Sequence, residues 1–378
     1  MRIAIVIDSL IRGGAERQAF YATKELTRLG HEVELLYYNR ADSEYDPSLL
    51  APASAVHLDK AGKPLRFVIK LSAYFRRRRF DVVHGWMSMS GVYAGLAGRL
   101  AGVPVVFAGY RCEYDGKGLF RVCHKVVNHV VTGWIVNSKA TVPSMVRGVG
   151  ARPENIFVVY NGIDPSAFTS SYSPSEARVR LGLPPDCPTV AIVGRLRAQK
   201  NHPLFIETAA RVHLRIPEAR FLVVGDGDGN EQRDLVAMAD RLGVGQRVVF
   251  LGSRSDIPDI LAATDVMALT SNYEGVANSL LEAMCVGLPV VSTDYAGVDE
   301  LVTHGREGFV APMNDPDALA AHLCRLLEDP ALRREMGSCG QETIRQRFSM
   351  SAMGRNLASL YQNCLDKSRR KVVQTNGA

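Results

Sequence analysis

The stretch TVAIVGRLRAQKNHPLFIETAARVHLR, residues 189–215, holds the unit from which the rest of the chain is built. Thr189–Gly194 is a short, β-branched, apolar run that ends in a glycine, and so reads as a buried strand with a tight exit. A polar loop follows, and His202–Arg215 reads as a helix. Strand, glycine turn and helix make one βα unit, and the same alternation runs the length of the chain. In the first half the strands are expected at Arg2–Ile7, Glu32–Tyr38, Asp81–His84, Val105–Ala108, Gly133–Asn137 and Ile156–Val159. In the second half they are expected at Thr189–Gly194, Arg220–Gly225, Val248–Leu251, Val266–Leu269, Pro289–Thr293 and Gly308–Val310. Alternation of this kind implies parallel sheets covered by helices on both faces, wound right-handedly. The expectation is α/β, two Rossmann-like doubly wound domains facing across a cleft. The boundary is placed in the Ser- and Pro-rich stretch 170–188, giving domains of 1–175 and 176–349.

Length and composition agree with two globular domains. The chain has 378 residues, 47% hydrophobic and 22% charged. No apolar run approaches the ~20 residues of a membrane span. The opening apolar stretch ends in Asp8 and reads as a first strand, not a signal peptide. The seven cysteines (112, 123, 187, 285, 324, 339 and 364) are scattered and show no zinc spacing. Free thiols, a cytoplasmic setting and no metal are expected. Residues 1–185 carry 24 Lys and Arg against 15 Asp and Glu, whereas the remainder is slightly acidic. A basic first half suggests an anionic partner, either a phospholipid surface or a lipid pyrophosphate. The basic residues are not interleaved with stacking aromatics, so nucleic acid ranks last.

In such sheets ligands bind beyond the carboxyl ends of strands. In the second half that rule selects SNYEGVANSLLEAM, residues 271–284, where Glu274 and Glu282 lie eight residues apart. A helix start offers free N–H groups and a positive dipole end to phosphate. An acid on either side then suits the hydroxyls of a sugar and a ribose. The bland alternative makes Ser279 and Glu282 a capping box and Glu274 a solvated acid. Arg195 and Lys200, five residues apart after Gly194, form a candidate diphosphate clamp. Gly225 and Gly252 end the next two strands, where close backbone approach is useful. The acids 226 and 228 resemble a metal-binding pair but equally bound a turn, and no metal is assigned.

The first half offers a Gly pair, Gly13 and Gly14, opening a helix after the first strand. No Gly-x-Gly-x-x-Gly stands there, which argues against a nicotinamide cofactor. His84 ends a strand and is either an acceptor-side group or a structural histidine. Arg111 and Glu113 follow the strand Val105–Ala108, placed either to pair with each other or to bind an anionic acceptor. In residues 63–80, Leu65, Val68, Leu71 and Phe75 recur at helical spacing among Lys and Arg. That pattern suits an anionic membrane surface or a sheet-covering helix with a basic outer face, and the run Arg76–Arg79 favours the membrane.

Together these residues resemble the retaining GT-B glycosyltransferases of family 4, the glycosyl transferases group 1 type. The resemblance spans the chain and is densest from Thr189 to Phe348. It is carried by Gly194-Arg195-Leu196, Lys200-Asn201, Val224-Gly225-Asp226-Gly227, Phe250-Leu251-Gly252, Tyr273-Glu274-Gly275 and Leu281-Glu282-Ala283-Met284. Gly287-Leu288-Pro289, Glu300-Leu301-Val302, Gly13-Gly14-Ala15-Glu16-Arg17 and Asn161-Gly162-Ile163-Asp164 add to it. The resemblance implies that Glu274 holds donor-sugar hydroxyls and Glu282 ribose hydroxyls. It implies that Arg195 and Lys200 neutralise the leaving diphosphate, and that N–H groups near Asn278, Ser279 and Leu280 meet the phosphates. The Gly13–Gly14 loop would close on the donor, the last helix (about 350–368) would cross back to the first domain, and no metal would be needed. Many relatives carry a histidine near the donor sugar where this chain has Tyr110, followed by Arg111.

The expected function is therefore retaining transfer of a hexose-type sugar from a nucleoside-diphosphate sugar, UDP before GDP, to a lipid-linked or polysaccharide acceptor. The setting is bacterial surface polysaccharide assembly, on the cytoplasmic face of a membrane. A nucleotide-sugar epimerase is a second reading, which wants an acid/base set including histidine. A non-catalytic nucleotide-sugar-binding protein is a third, and a dinucleotide oxidoreductase a distant fourth.

Overall fold

A computed structural model describes residues 1–11, 13–40, 45–111, 114, 116–227 and 229–376. The chain divides into two compact units, Met1–Gly162 with Ser349–Ala378, and Ile163–Phe348. The first unit holds strands β1 (Arg2–Ile7), β2 (Glu32–Tyr37), β3 (Ser54–His57), β4 (Val82–Gly85), β5 (Val105–Tyr110), β6 (Gly133–Val136) and β7 (Ile156–Val158). The second holds β8 (Thr189–Val193), β9 (Arg220–Val224), β10 (Val248–Gly252), β11 (Val266–Leu269), β12 (Val290–Thr293) and β13 (Gly308–Ala311). The sheet orders are β3-β2-β1-β4-β5-β6-β7 and β10-β9-β8-β11-β12-β13. Every neighbouring pair is parallel. Both units are thus Rossmann-like, and strand order reverses beside β1 in one and beside β8 in the other.

In the first unit, β1 shows why a continuous apolar run is a central strand. Ile3, Ile5 and Ile7 pack with Phe20, Leu26, Met353, Leu357 and Tyr361 on one face. Ala4 and Val6 pack with Phe67, Leu71 and Phe75 on the other. The final helix, Met350–Asn376, supplies Met353, Leu357 and Tyr361, so it is part of this unit's core. Strand β3 was not among the expected strands. Its four residues are exposed or half-buried at the sheet edge, so only weak apolar patterning marks it.

The helix Pro64–Arg78 corrects the membrane reading of residues 63–80. Val68, Leu71 and Phe75 are buried against the sheet, and of the expected stripe only Leu65 faces out. The amphipathic pattern is that of a sheet-covering helix. Arg78 pairs with the buried Glu34, which also accepts from the Tyr74 hydroxyl at 2.7 Å. Arg76 donates to the Leu100 carbonyl. The arginine run is thus partly consumed by structural contacts. Among the described residues, no helix is long and apolar enough to cross a membrane.

The units divide between Gly162 and Ile163, not at 175/176. The Ser- and Pro-rich stretch is not a free linker, because it packs on the second unit. Ile163 N donates to Phe348 O (2.7 Å), Phe168 is buried, and Ser170 Oγ donates to Asp259 Oδ1 (2.7 Å). Arg178, in the helix Pro174–Arg180, is buried and donates to Asp265 Oδ2 (2.9 Å) and to the carbonyls of Ala263 and Pro185 (both 3.0 Å). Asp265 Oδ2 also accepts from the Thr189 N–H at 2.8 Å. This network clamps the entry segment to the starts of β8 and β11, beneath the site those strands carry.

Candidate active site

The reversal of strand order in the second unit puts the loops after β8 and β11 side by side. Gly194 follows β8, and Gly225 follows β9 with φ of 139°. A Cβ on Gly225 would lie 2.1 Å from Gly194 O, so only glycine lets these strand ends approach. Gly225 N–H donates to Gly252 O (2.8 Å), which extends the stacked turn to β10. The loop that leaves Gly194 is then pinned to the loop that leaves β11. Asn272 N–H donates to Gln199 O (2.8 Å), Asn272 Nδ2 to Ala198 O (2.8 Å), and Thr270 Oγ1 lies 3.0 Å from the carbonyls of Lys200 and Asn201.

These backbone ties bring Lys200 and Glu274 together. Lys200 Nζ lies 2.6 Å from Glu274 Oε1, and both side chains are largely buried. Ser271 Oγ donates to the same oxygen (2.7 Å), and Gln199 Nε2 to Glu274 Oε2 (3.1 Å). Glu274 is therefore a positioned carboxylate, not a solvated loop acid. Arg195 is exposed, and its side chain has no partner among the described residues.

The helix Asn278–Cys285 begins four residues after Glu274, with Ala277 as its N-cap and no side-chain cap. Ser279 lies inside the helix, and its buried Oγ has no hydrogen-bond partner. The capping-box alternative for Ser279 and Glu282 is therefore not realised. Leu280 N–H donates to Ala277 O (3.1 Å), whereas among the described residues no backbone carbonyl receives the Ser279 N–H. Of the helix-start groups expected at a phosphate, Leu280 N–H is thus already engaged. Glu282 is 7% exposed, inward of the helix start.

Two family descriptions match the chain. Glycosyl transferases group 1 covers residues 174–343 and Glycosyltransferase Family 4 covers residues 12–167. The chain is a GT-B glycosyltransferase of family 4. An Escherichia coli relative, UDP-Gal:alpha-D-GlcNAc-diphosphoundecaprenol alpha-1,3-galactosyltransferase, is 29% identical over 75% of each chain. The D-inositol 3-phosphate glycosyltransferase of Thermobispora bispora is 28% identical over 95% of this chain and 92% of its own. Among solved structures, Anabaena HepE in complex with UDP and glucose is 25% identical. It superposes with a TM-score of 0.82 over 96% of this chain and all of its own.

In the first unit of the glycosyltransferase, the expected site residues divide. His84 is 0% exposed, and its Nδ1 lies 2.7 Å from the Tyr361 hydroxyl of the final helix. Burial, then the nearby Arg111, holds its pKa well below the ordinary histidine value. The acceptor-side expectation is corrected to the structural alternative: β4 points this ring into the core. Tyr110 is also buried, beside Tyr114 and His124. Arg111 leaves the end of β5 and stacks on Trp86 at 3.8 Å, while Glu113 lies outside the described residues. At Gly13, the carboxylate of Glu16 occupies the place a side chain would take, 2.3 Å from an added Cβ. Gly14 is the first residue of the helix Gly14–Arg28.

The structure adds Ser271, Gln199 and Tyr295 to the glycosyltransferase's candidate residues. Ser271 and Gln199 flank motif positions, and only their neighbourhood in sequence marks them. Tyr295 is buried, with no partner for its hydroxyl. Burial, then Glu274, raises its pKa well above the ordinary value. Nothing in its local pattern signals that proximity. Asp226 Oδ1 accepts from the Ser253 N–H (2.8 Å), as a turn acid does, and Asp228 lies outside the described residues. Among the described residues, no group of three or more His, Cys, Asp or Glu side chains is arranged to hold a metal.

His202, just after the Lys200 loop, is buried, and its Nε2 has no partner. Burial, then Lys200, pulls its pKa from 6.5 down to about 4. The folded chain then resists protonation that the unfolded chain accepts, so stability falls as pH drops from about 6.5 to about 4. His84 acts in the same direction. Replacing His202 with Gln should flatten this acid branch by ~1–2 kcal/mol, measured by urea unfolding at pH 7.0 and 4.5.

Proposed function

We infer that this glycosyltransferase moves a hexose-type sugar from a UDP-sugar to a lipid-linked or saccharide acceptor, keeping the anomeric configuration. The observation that carries the reading is the Lys200–Glu274 contact at 2.6 Å, at the strand-order reversal and just before the helix Asn278–Cys285. A cation and a hydroxyl-accepting anion side by side suit the junction of a diphosphate with a sugar. Glu274 would hold sugar hydroxyls, and Glu282, deeper in the helix, ribose hydroxyls. Lys200, the exposed Arg195 and the helix start around Asn278 and Ser279 would stabilise charge on the leaving diphosphate. The bond from the anomeric carbon to the diphosphate oxygen breaks, and the acceptor oxygen bonds to the same face. The acceptor proton passes to the departing phosphate oxygen, so no enzyme base is required. Arginine, lysine and a helix dipole can carry the leaving charge without a metal.

UDP is preferred because the Anabaena relative was solved with UDP and glucose and the E. coli relative takes UDP-Gal. The latter's diphosphoundecaprenol acceptor supports a lipid-linked substrate and, with it, bacterial surface-polysaccharide assembly. An acceptor of that kind would be met at a membrane surface, and the basic first half would suit one. An epimerase would want a titrating histidine beside the sugar, and His84 is instead locked in the core. The test is proton NMR of reactions with a panel of UDP- and GDP-hexoses and lipid-diphosphate sugar acceptors. The expected product keeps the donor's α or β configuration. An inverted product overturns the mechanism, and an epimerised donor without transfer overturns the reaction.

A further inference from the structure

Arg111 is the feature of the first unit that its fold does not explain. Its guanidinium lies 3.8 Å over the Trp86 ring, and Trp86 is itself fixed by a hydrogen bond from Nε1 to Ala15 O (3.0 Å). Among the described residues the guanidinium donates to neutral acceptors, Asn161 Oδ1 (3.1 Å) and Trp86 O (3.4 Å). No carboxylate pairs with it among the described residues. The ring behind Trp86 is His84, 4.8 Å between centroids, which is buried and held neutral. Arg111 as a whole is half-buried, and burial of its guanidinium lowers its pKa to about 9.

A desolvated cation without a counter-ion costs stability, and proteins usually supply a carboxylate partner. Here stacking and two neutral acceptors fix the plane of the guanidinium, and among the described residues no acid offsets its charge. It stands at the carboxyl end of β5, the edge where ligands of parallel sheets bind. A planar fork held this way is suited to phosphate oxygens. The geometry points to Arg111 as the contact for a phosphate or diphosphate group carried by the acceptor, so that this enzyme selects phosphorylated acceptors over neutral ones. The assignment rests on the transferase reading above, and its test separates the two.

The experiment compares kcat/KM for a sugar acceptor bearing a lipid diphosphate with that for the same sugar as a neutral alkyl glycoside, in wild type, Arg111→Gln and Arg111→Lys. Wild type should prefer the diphosphate acceptor, and Arg111→Gln should reduce that preference at least tenfold. Arg111→Lys, which keeps the charge but loses the fork, should fall between them and serves if the Gln variant does not fold. With saturating UDP present, inorganic pyrophosphate should raise the Tm of wild type and not of Arg111→Gln. That separates recognition of the anion itself from recognition of the lipid. An unchanged acceptor preference in both variants overturns the assignment while leaving the transferase reading intact. A strongly lowered Tm in Arg111→Gln, non-additive with Glu113→Gln, would make Arg111 half of a structural ion pair and overturns it as well. Absence of transfer to either acceptor, with no UDP binding, refutes the donor reading instead.

Discussion

Glu274→Gln should lower kcat by roughly a thousandfold while leaving the fold unchanged, because it removes a positioned charge and keeps the shape. Among the described residues the carboxylate is held by Lys200 at 2.6 Å, Ser271 at 2.7 Å and Gln199 at 3.1 Å. A neutral amide satisfies two of them imperfectly and leaves Lys200 without its counter-charge. Two consequences separate. Transfer should fall because, in the role proposed for Glu274, the sugar loses its anionic hydroxyl acceptor at the reacting end. UDP binding should hold or tighten a few-fold, because Glu274 no longer competes with the diphosphate for Lys200. Initial rates with saturating donor and a parallel UDP titration measure both. A variant within fivefold of wild-type kcat would sink the assigned role of Glu274. A variant that loses UDP binding and kcat in parallel would instead mark Glu274 as part of the loop's architecture.

Arg178→Ala should produce the largest loss of stability. Its guanidinium is buried and satisfies Asp265, Ala263 O and Pro185 O together. Deleting it leaves Asp265 without this partner at 2.9 Å, with Arg333 3.7 Å away as the remaining cation. Removing one member of such a pair costs about 3 kcal/mol. For a unit of this size the Tm should drop by ~10 °C. The loss should appear in the unfolding of the second unit, since the network ties the segment after Ile163 to the starts of β8 and β11. Differential scanning calorimetry of the variant, with and without UDP, gives the answer. A Tm within 2 °C of wild type would mean that the surrounding helices hold the segment without this clamp.

Much of this architecture was legible because parallel α/β sheets write themselves plainly. Central strands such as β1 and β8 are continuous apolar runs, and their exits carry the glycines that a close turn demands. The short, half-exposed β3 lacked both marks and went unread. The helix Pro64–Arg78 shows how periodicity misleads. An apolar stripe flanked by arginines looks the same whether it faces a sheet or a lipid surface, and only the packing of Val68, Leu71 and Phe75 decides. The Ser- and Pro-rich stretch near 170–188 resembled a linker by composition, yet Phe168, Ser170 and Arg178 bind it to the second unit.

The site was legible where residues cluster in sequence and opaque where they meet only in space. Spacing alone proposed Lys200 and Glu274, but their contact depends on backbone ties between two loops about 70 residues apart. Tyr295, whose pKa responds to Glu274, comes from beyond β12 and belongs to no local pattern. His84 illustrates the reverse error. A histidine at a strand end is a fair candidate until the side to which the strand points is known, and here it points at Tyr361.

The most direct test of a metal-independent donor site in the second unit is calorimetric titration of UDP in EDTA, for wild type, Arg195→Ala and Glu282→Ala. Wild type is expected to bind UDP without added metal, and each substitution to weaken binding at least tenfold. UDP binding that appears only when a divalent cation is restored, or that is untouched by both substitutions, would contradict it.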